Sequence, residues 1–77
     1  MELPKAAISS EIYHLIISTD ETITASTLAP ILGMHPQVIC KMARDGTWDR
    51  QVCNYVMSGK KPKFFRIDFL RKGGWIE

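Results

Sequence analysis

The sequence predicts an α+β fold: short helices with a two-stranded β-hairpin. Three observations carry the prediction. Apolar residues recur at helical spacing over 4–18 and again over 36–45. A run rich in β-branched and aromatic residues at 51–57 is followed, across Ser58-Gly59-Lys60-Lys61, by Lys63-Phe64-Phe65-Arg66-Ile67, the pattern of two strands about a turn. Between these segments glycine and proline punctuate the chain, at Gly33, Pro36, Gly46 and Gly59.

The first helix is expected over 4–18. Ile8, Ile12, Leu15 and Ile16 share one face. Pro4 suits a helix start, where its missing N–H costs nothing, and Ser18-Thr19-Asp20 reads as the exit. Tyr13 and Ile17 widen the apolar stripe. The face either packs on the rest of the domain or serves as a dimer or partner face.

The second helix is expected within 23–33, with Leu28, Ile31 and Leu32 inward and Ala29 small at a close approach. Thr24 can cap it through its side-chain oxygen. Pro30 then falls in the interior, where it removes a hydrogen bond at a cost of roughly 3 kcal/mol. A cap at Ser26 would put Pro30 near the first turn and lower that cost, so a short, late-starting or kinked helix is expected.

The third helix follows His35, with Pro36 at its first position. Val38, Ile39, Met42 and Ala43 form its apolar stripe, and Gln37, Cys40, Lys41 and Arg44 lie towards the other side. Gly46 stops it. After the hairpin, whose return strand can begin at an edge with Pro62, Asp68 can cap a closing helix through Phe69, Leu70 and Arg71. Gly73-Gly74 ends that helix, and Trp75-Ile76 can fold back as a lid. The chain therefore parses as a single domain over 1–77, with segments 1–20, 23–46, 50–67 and 68–77.

A chain of 77 residues buries only roughly 60 % of the surface its unfolded form exposes. That leaves one thin core and no deep substrate cleft. With 45 % hydrophobic and 23 % charged residues, the composition is that of a folded domain, not a disordered one. No apolar run approaches a membrane span, and the N-terminus has no signal-peptide pattern. A cytoplasmic protein is expected, with Cys40 and Cys53 as free thiols. The set His14, His35, Cys40 and Cys53 lacks the ligand spacing of a zinc site.

Net charge is +2, but its distribution is lopsided. Lys5 alone precedes Cys40; Lys41, Arg44, Arg50, Lys60, Lys61, Lys63, Arg66, Arg71 and Lys72 follow it, against Asp45, Asp49, Asp68 and Glu77. That is either a solvated basic surface or the footprint of a polyanion partner.

The second and third helices, joined through Gly33-Met34-His35, have helix-turn-helix spacing, with Leu28, Leu32, Met34, Ile39 and Met42 placed to fill the angle between them. A basic loop, Gly59-Lys60-Lys61-Pro62-Lys63, then sits at a hairpin tip, where ammonium groups suit phosphates or a minor groove. The run Met34-His35-Pro36-Gln37-Val38-Ile39-Cys40-Lys41-Met42-Ala43-Arg44-Asp45-Gly46, a hairpin, and Phe65-Arg66-Ile67-Asp68-Phe69-Leu70 resemble the winged-helix domains of phage excisionases and MerR-type regulators. The resemblance covers about 23–70. Pro30 and the link at 47–50 depart from it, and the first helix lies outside it.

The resemblance implies a winged helix-turn-helix that binds duplex DNA, as an excisionase-like or transcription-regulating factor of a phage or mobile element. With no effector pocket or catalytic unit expected, such a protein would act by occupying or bending DNA, several copies side by side. The third helix would then enter the major groove, with Gln37, Lys41 and Arg44 as base contacts. His35 would either contact phosphate or cap the helix. Lys60, Lys61 and Lys63 would contact the backbone or minor groove and supply salt dependence. Arg66 would either reach DNA or pair with Asp68 or Asp49.

Trp48, Trp75, Phe64, Phe65 and Phe69 are assigned to the core, since so small a domain needs them there; Phe64 and Phe65 point to opposite strand faces, so one can be exposed. No nucleophile–base set, phosphate-cradling glycine loop or paired carboxylates are evident. No enzyme activity, cofactor, metal or small-molecule ligand is expected. The competing expectation is a protein-interaction adaptor that works through the first helix with Tyr13 and Ile17.

Overall fold

The computed structural model describes residues 9–76. In chain order these form α1 (Ser10–Ile17), β1 (Thr22–Ile23), α2 (Ala25–Leu32), α3 (Pro36–Asp45), β2 (Tyr55–Ser58), β3 (Lys61–Phe65) and α4 (Arg66–Lys72). The strands make one antiparallel sheet in the order β1-β3-β2. The fold is α+β, and its sheet has three strands where the sequence suggested two. Thr22 and Ile23, opposite Phe65 and Phe64, are too few to show any periodicity in sequence.

Ser9 caps α1, its Oγ accepting the Ile12 N–H at 3.2 Å. Ile12 and Leu15 are buried, while Tyr13 and Ile17 are exposed. The expected start at Pro4 and the core position Ile8 lie outside the described residues. Arg66, at the start of α4, is buried and donates from Nε to the Asp20 carbonyl at 2.6 Å and from Nη1 to the Leu15 carbonyl. The guanidinium thus satisfies a carbonyl in the last turn of α1, where helical partners run out, and ties α1 to α4.

Thr24, not Ser26, caps α2: its Oγ1 accepts the Thr27 N–H at 3.3 Å. Pro30 lies inside the helix with its ring exposed. It deprives the Ser26 carbonyl of its helical donor, yet the helix continues to Leu32. Gly33, at φ 68°, then turns the chain in the left-handed region and returns its N–H to the Ala29 carbonyl. His35 starts α3 by accepting the Gln37 N–H on Nδ1 at 3.1 Å. Ile39 and Ala43 point into the core. Val38, expected on the same stripe, is 46 % exposed; it flanks the buried face and meets solvent.

The link after α3 folds on itself. Trp48 is buried and donates from Nε1 to the Cys53 carbonyl at 2.8 Å. The β2–β3 hairpin turns at Gly59-Lys60, with Ser58 opposite Lys61. Its return strand begins and ends two residues before the expected 63–67. Phe65 donates to the Asn54 carbonyl, so by alternation Pro62, opposite Met57, has its nitrogen turned towards the β1 side. There β1 has ended at Ile23 and α2 begins, so no ladder bond is lost.

The last helix springs directly from β3. Phe65 is its N-cap residue, and no side chain caps it. Asp68, expected as the cap, instead accepts the Asn54 N–H at 2.8 Å and the Lys72 ammonium at 3.1 Å. Beyond α4, the Trp75 ring lies over Gly73, where a Cβ would fall 1.8 Å from it, and packs on Phe69. The core centres on Phe64, Leu28, Ile39, Leu70 and Cys53, ringed by Ile12, Leu15, Trp48, Tyr55 and Phe69. No helix among the described residues is long and apolar enough to cross a membrane.

Candidate nucleic-acid interface

The polar side of α3 follows from its sequence spacing. With Ile39 and Ala43 in the core, Gln37, Cys40, Lys41 and Arg44 share the opposite face at three- and four-residue intervals. Two other elements complete a groove over this face. One is the start of α2, at Thr24, Ala25 and Ser26. The other is the hairpin tip, at Lys60, Lys61 and Pro62. The groove encloses about 750 Å³ and is open to solvent. Its lining carries four cations, Lys41, Arg44, Lys60 and Lys61, and no carboxylate.

Buried polar contacts hold the hairpin at its distance from α3. The Tyr55 hydroxyl donates to the Ala43 carbonyl at 2.8 Å, a carbonyl in the last turn of α3 whose backbone donor, the Gly46 N–H, is a distant 3.4 Å away. The Tyr55 ring packs on Phe64, and the Arg50 guanidinium lies over the Tyr55 ring, 4.4 Å from its centroid. Pro62 and the start of α2 line the same groove, the β1–β3 pairing at Ile23 and Phe64 leading the two edges to it. The groove is thus framed by α3, a hairpin anchored at its base, and a helix start.

The sequence-predicted site residues divide into those this groove gathers and those it does not. Gln37, Lys41, Arg44, Lys60 and Lys61 line it. Arg44, Lys60 and Lys61 have no hydrogen-bond or ion-pair partner among the described residues. Lys41 is held by Asp45 at 2.8 Å, and that ammonium keeps the Asp45 carboxyl below its ordinary pKa, with Arg44 adding to the effect. His35 serves as the cap of α3. Its Nδ1 accepts a backbone N–H, so in the neutral ring the proton sits on Nε2 and can be donated outward.

Lys63 does not line the groove. It stands opposite Val56, on the strand face away from Phe64. Arg66 is a correction: burial and its bonds to Leu15 and Asp20 commit it to the fold. It pairs with neither Asp68 nor Asp49, and its guanidinium faces α1. Sequence reasoning did not place Thr24, Ala25 and Ser26 in the site. Thr24 was legible as a cap, but only the β1–β3 pairing brings that helix start to the hairpin tip.

Cys40 lines the groove and is half-buried; Cys53 is buried, its thiol pointing at the Asn54 and Phe65 carbonyls. Among the described residues no group of His, Cys, Asp and Glu is arranged to hold a metal ion. Comparison with family models, curated proteins and solved structures finds no match to this chain.

Proposed function

We propose that this chain binds duplex DNA as a winged helix-turn-helix, with α2 and α3 as the helical pair, α3 in the major groove and the β2–β3 hairpin as the wing. In this role it is a small excisionase-like or transcriptional regulatory factor. One observation carries the reading: three separate elements converge on a groove whose charged groups are all cationic. Gln37 offers both an acceptor and donors for an adenine edge, and Arg44 a fork for guanine, each good bidentate pair discriminating by ~1–3 kcal/mol. Lys60 and Lys61, at a solvent-exposed tip, suit phosphates and fix register without reading sequence. The start of α2 lies at the positive end of its dipole and favours a phosphate at the same edge.

Fluorescence anisotropy of labelled duplex DNA at several salt concentrations tests the proposal. Binding should weaken steeply with salt, by ~0.9 in log K per log salt for each phosphate neutralised. Replacing Lys60 and Lys61 with Ala should weaken all sequences alike and reduce that slope by roughly two contacts. Replacing Gln37 or Arg44 should flatten the preference among sequences. No binding at low salt would refute the proposal.

A second reading rests on Tyr13 and Ile17, 55 % and 57 % exposed on one side of α1. Such a stripe suits an adaptor that docks a protein partner. Partner binding that survives Lys41→Ala/Arg44→Ala but fails on Tyr13→Ala/Ile17→Ala would favour it.

A further inference from the structure

Asp45 is the last residue of α3, and its carboxylate holds the Lys41 ammonium at 2.8 Å. Neither the helix dipole nor the order of the pair favours this arrangement. A carboxylate in the last turn sits at the negative end of the helix dipole, where a cation is favoured. The pair also runs base before acid, the weaker order for residues four apart. Both side chains are well exposed, 70 % and 47 %, so water screens the bond and it is readily exchanged. Beside it, Arg44 is left without such a partner.

We propose that Asp45, outside the groove lining but bound to Lys41 within it, is a specificity-determining residue: it occupies Lys41 in the free protein and repels phosphate, so that Lys41 is yielded to base-edge acceptors in preference to the backbone. The proposal rests on the reading of the groove as a duplex interface. A lysine released onto any phosphate adds affinity for all sequences and so erodes discrimination. A lysine held by a carboxylate is given up only where the DNA supplies acceptors that repay the exchange, such as guanine O6 and N7. Asp45 thereby lowers the affinity for unselected DNA that four groove cations would otherwise produce.

The test compares wild type with Asp45→Asn on a mixed-sequence duplex, and on a site that the wild type selects from a random pool. On the mixed-sequence duplex the variant should bind roughly 3- to 10-fold tighter at low salt, with a salt slope steeper by about 0.9. Its preference for the selected site should fall by a similar factor. In a Lys41→Ala background the same substitution should have a clearly smaller effect, because only the repulsion of phosphate is then removed. The melting temperature should change little, because the pair is exposed and screened by water. Unchanged affinity and slope, with the wild type binding normally, would overturn the proposal, as would an equal gain in the Lys41→Ala background. A wild type that shows no salt-dependent binding would overturn the duplex reading itself.

Discussion

Two cysteines with the same chemistry have opposite environments. Burial, with help from the Asp68 charge, pushes the Cys53 thiol up to about 11. In the unfolded chain the same thiol ionises near 8.5 (an ordinary value), so the unfolded state sheds its proton first. Stability from this residue is therefore fully present below about 8.5 and declines as pH rises towards 11. Cys53→Ala should flatten the alkaline limb of a stability–pH curve measured by denaturant unfolding. Under native conditions an alkylating reagent should modify Cys40 well before Cys53, and duplex DNA should slow the reaction at Cys40. Equal rates with and without DNA would argue against the groove as the binding surface.

At Asp68 the sign is reversed. The Asn54 N–H, with Lys72, holds its carboxyl below the ordinary range. That contribution is present above the unfolded carboxylate pKa and lost as pH falls through the lower folded value. Asp68→Asn should accordingly reduce the loss of stability in acid.

Helices and strands were legible to different degrees, for physical reasons. The three longer helices reveal themselves through caps and spacing: Thr24 before α2, His35-Pro36 at the start of α3, and the apolar face of α1. The hairpin reveals itself at Gly59-Lys60. β1 does not, because two residues form a strand only by adding to a neighbour already in place. The start of α4 at Arg66 was hidden because the aromatic pair before it reads as a strand that continues. Pro30 is an internal conflict that the helix tolerates. Its position is exposed, so Pro30→Ala should restore the bond to the Ser26 carbonyl and raise stability by roughly 1–3 kcal/mol, readable in a denaturant midpoint. A loss of stability would show that the proline fixes the helix start in some other way. Arg66 works in the opposite sense, binding two elements into one. Arg66→Ala leaves the Leu15 and Asp20 carbonyls without their donor and should cost about 3 kcal/mol, while leaving the salt slope of the folded protein unchanged.

Taken together, these elements separate the chain into a basic side and an apolar one. α3, the hairpin tip and the start of α2 make the cationic groove; α1 turns Tyr13 and Ile17 outward. The face that Gln37, Lys41 and Arg44 share could be read from spacing alone, because a helix sets it locally. The convergence of Lys60 and Lys61 on that face could not, since it depends on Tyr55 reaching Ala43 and on β1 pairing with β3. Arg66 and Lys63 show the limit of charge as a guide. One cation is used by the core and the other stands on the outer sheet face, and nothing in their residue type distinguishes them from Arg44 and the lysines of the groove.

The most direct test of the duplex reading is an NMR titration of the isotope-labelled protein with duplex DNA at low salt, following every backbone amide. The account predicts saturable shifts concentrated at residues 24–26, 35–44 and 59–62, with α1 unmoved. Shifts confined to α1 around Tyr13 and Ile17, or none at all, would contradict it.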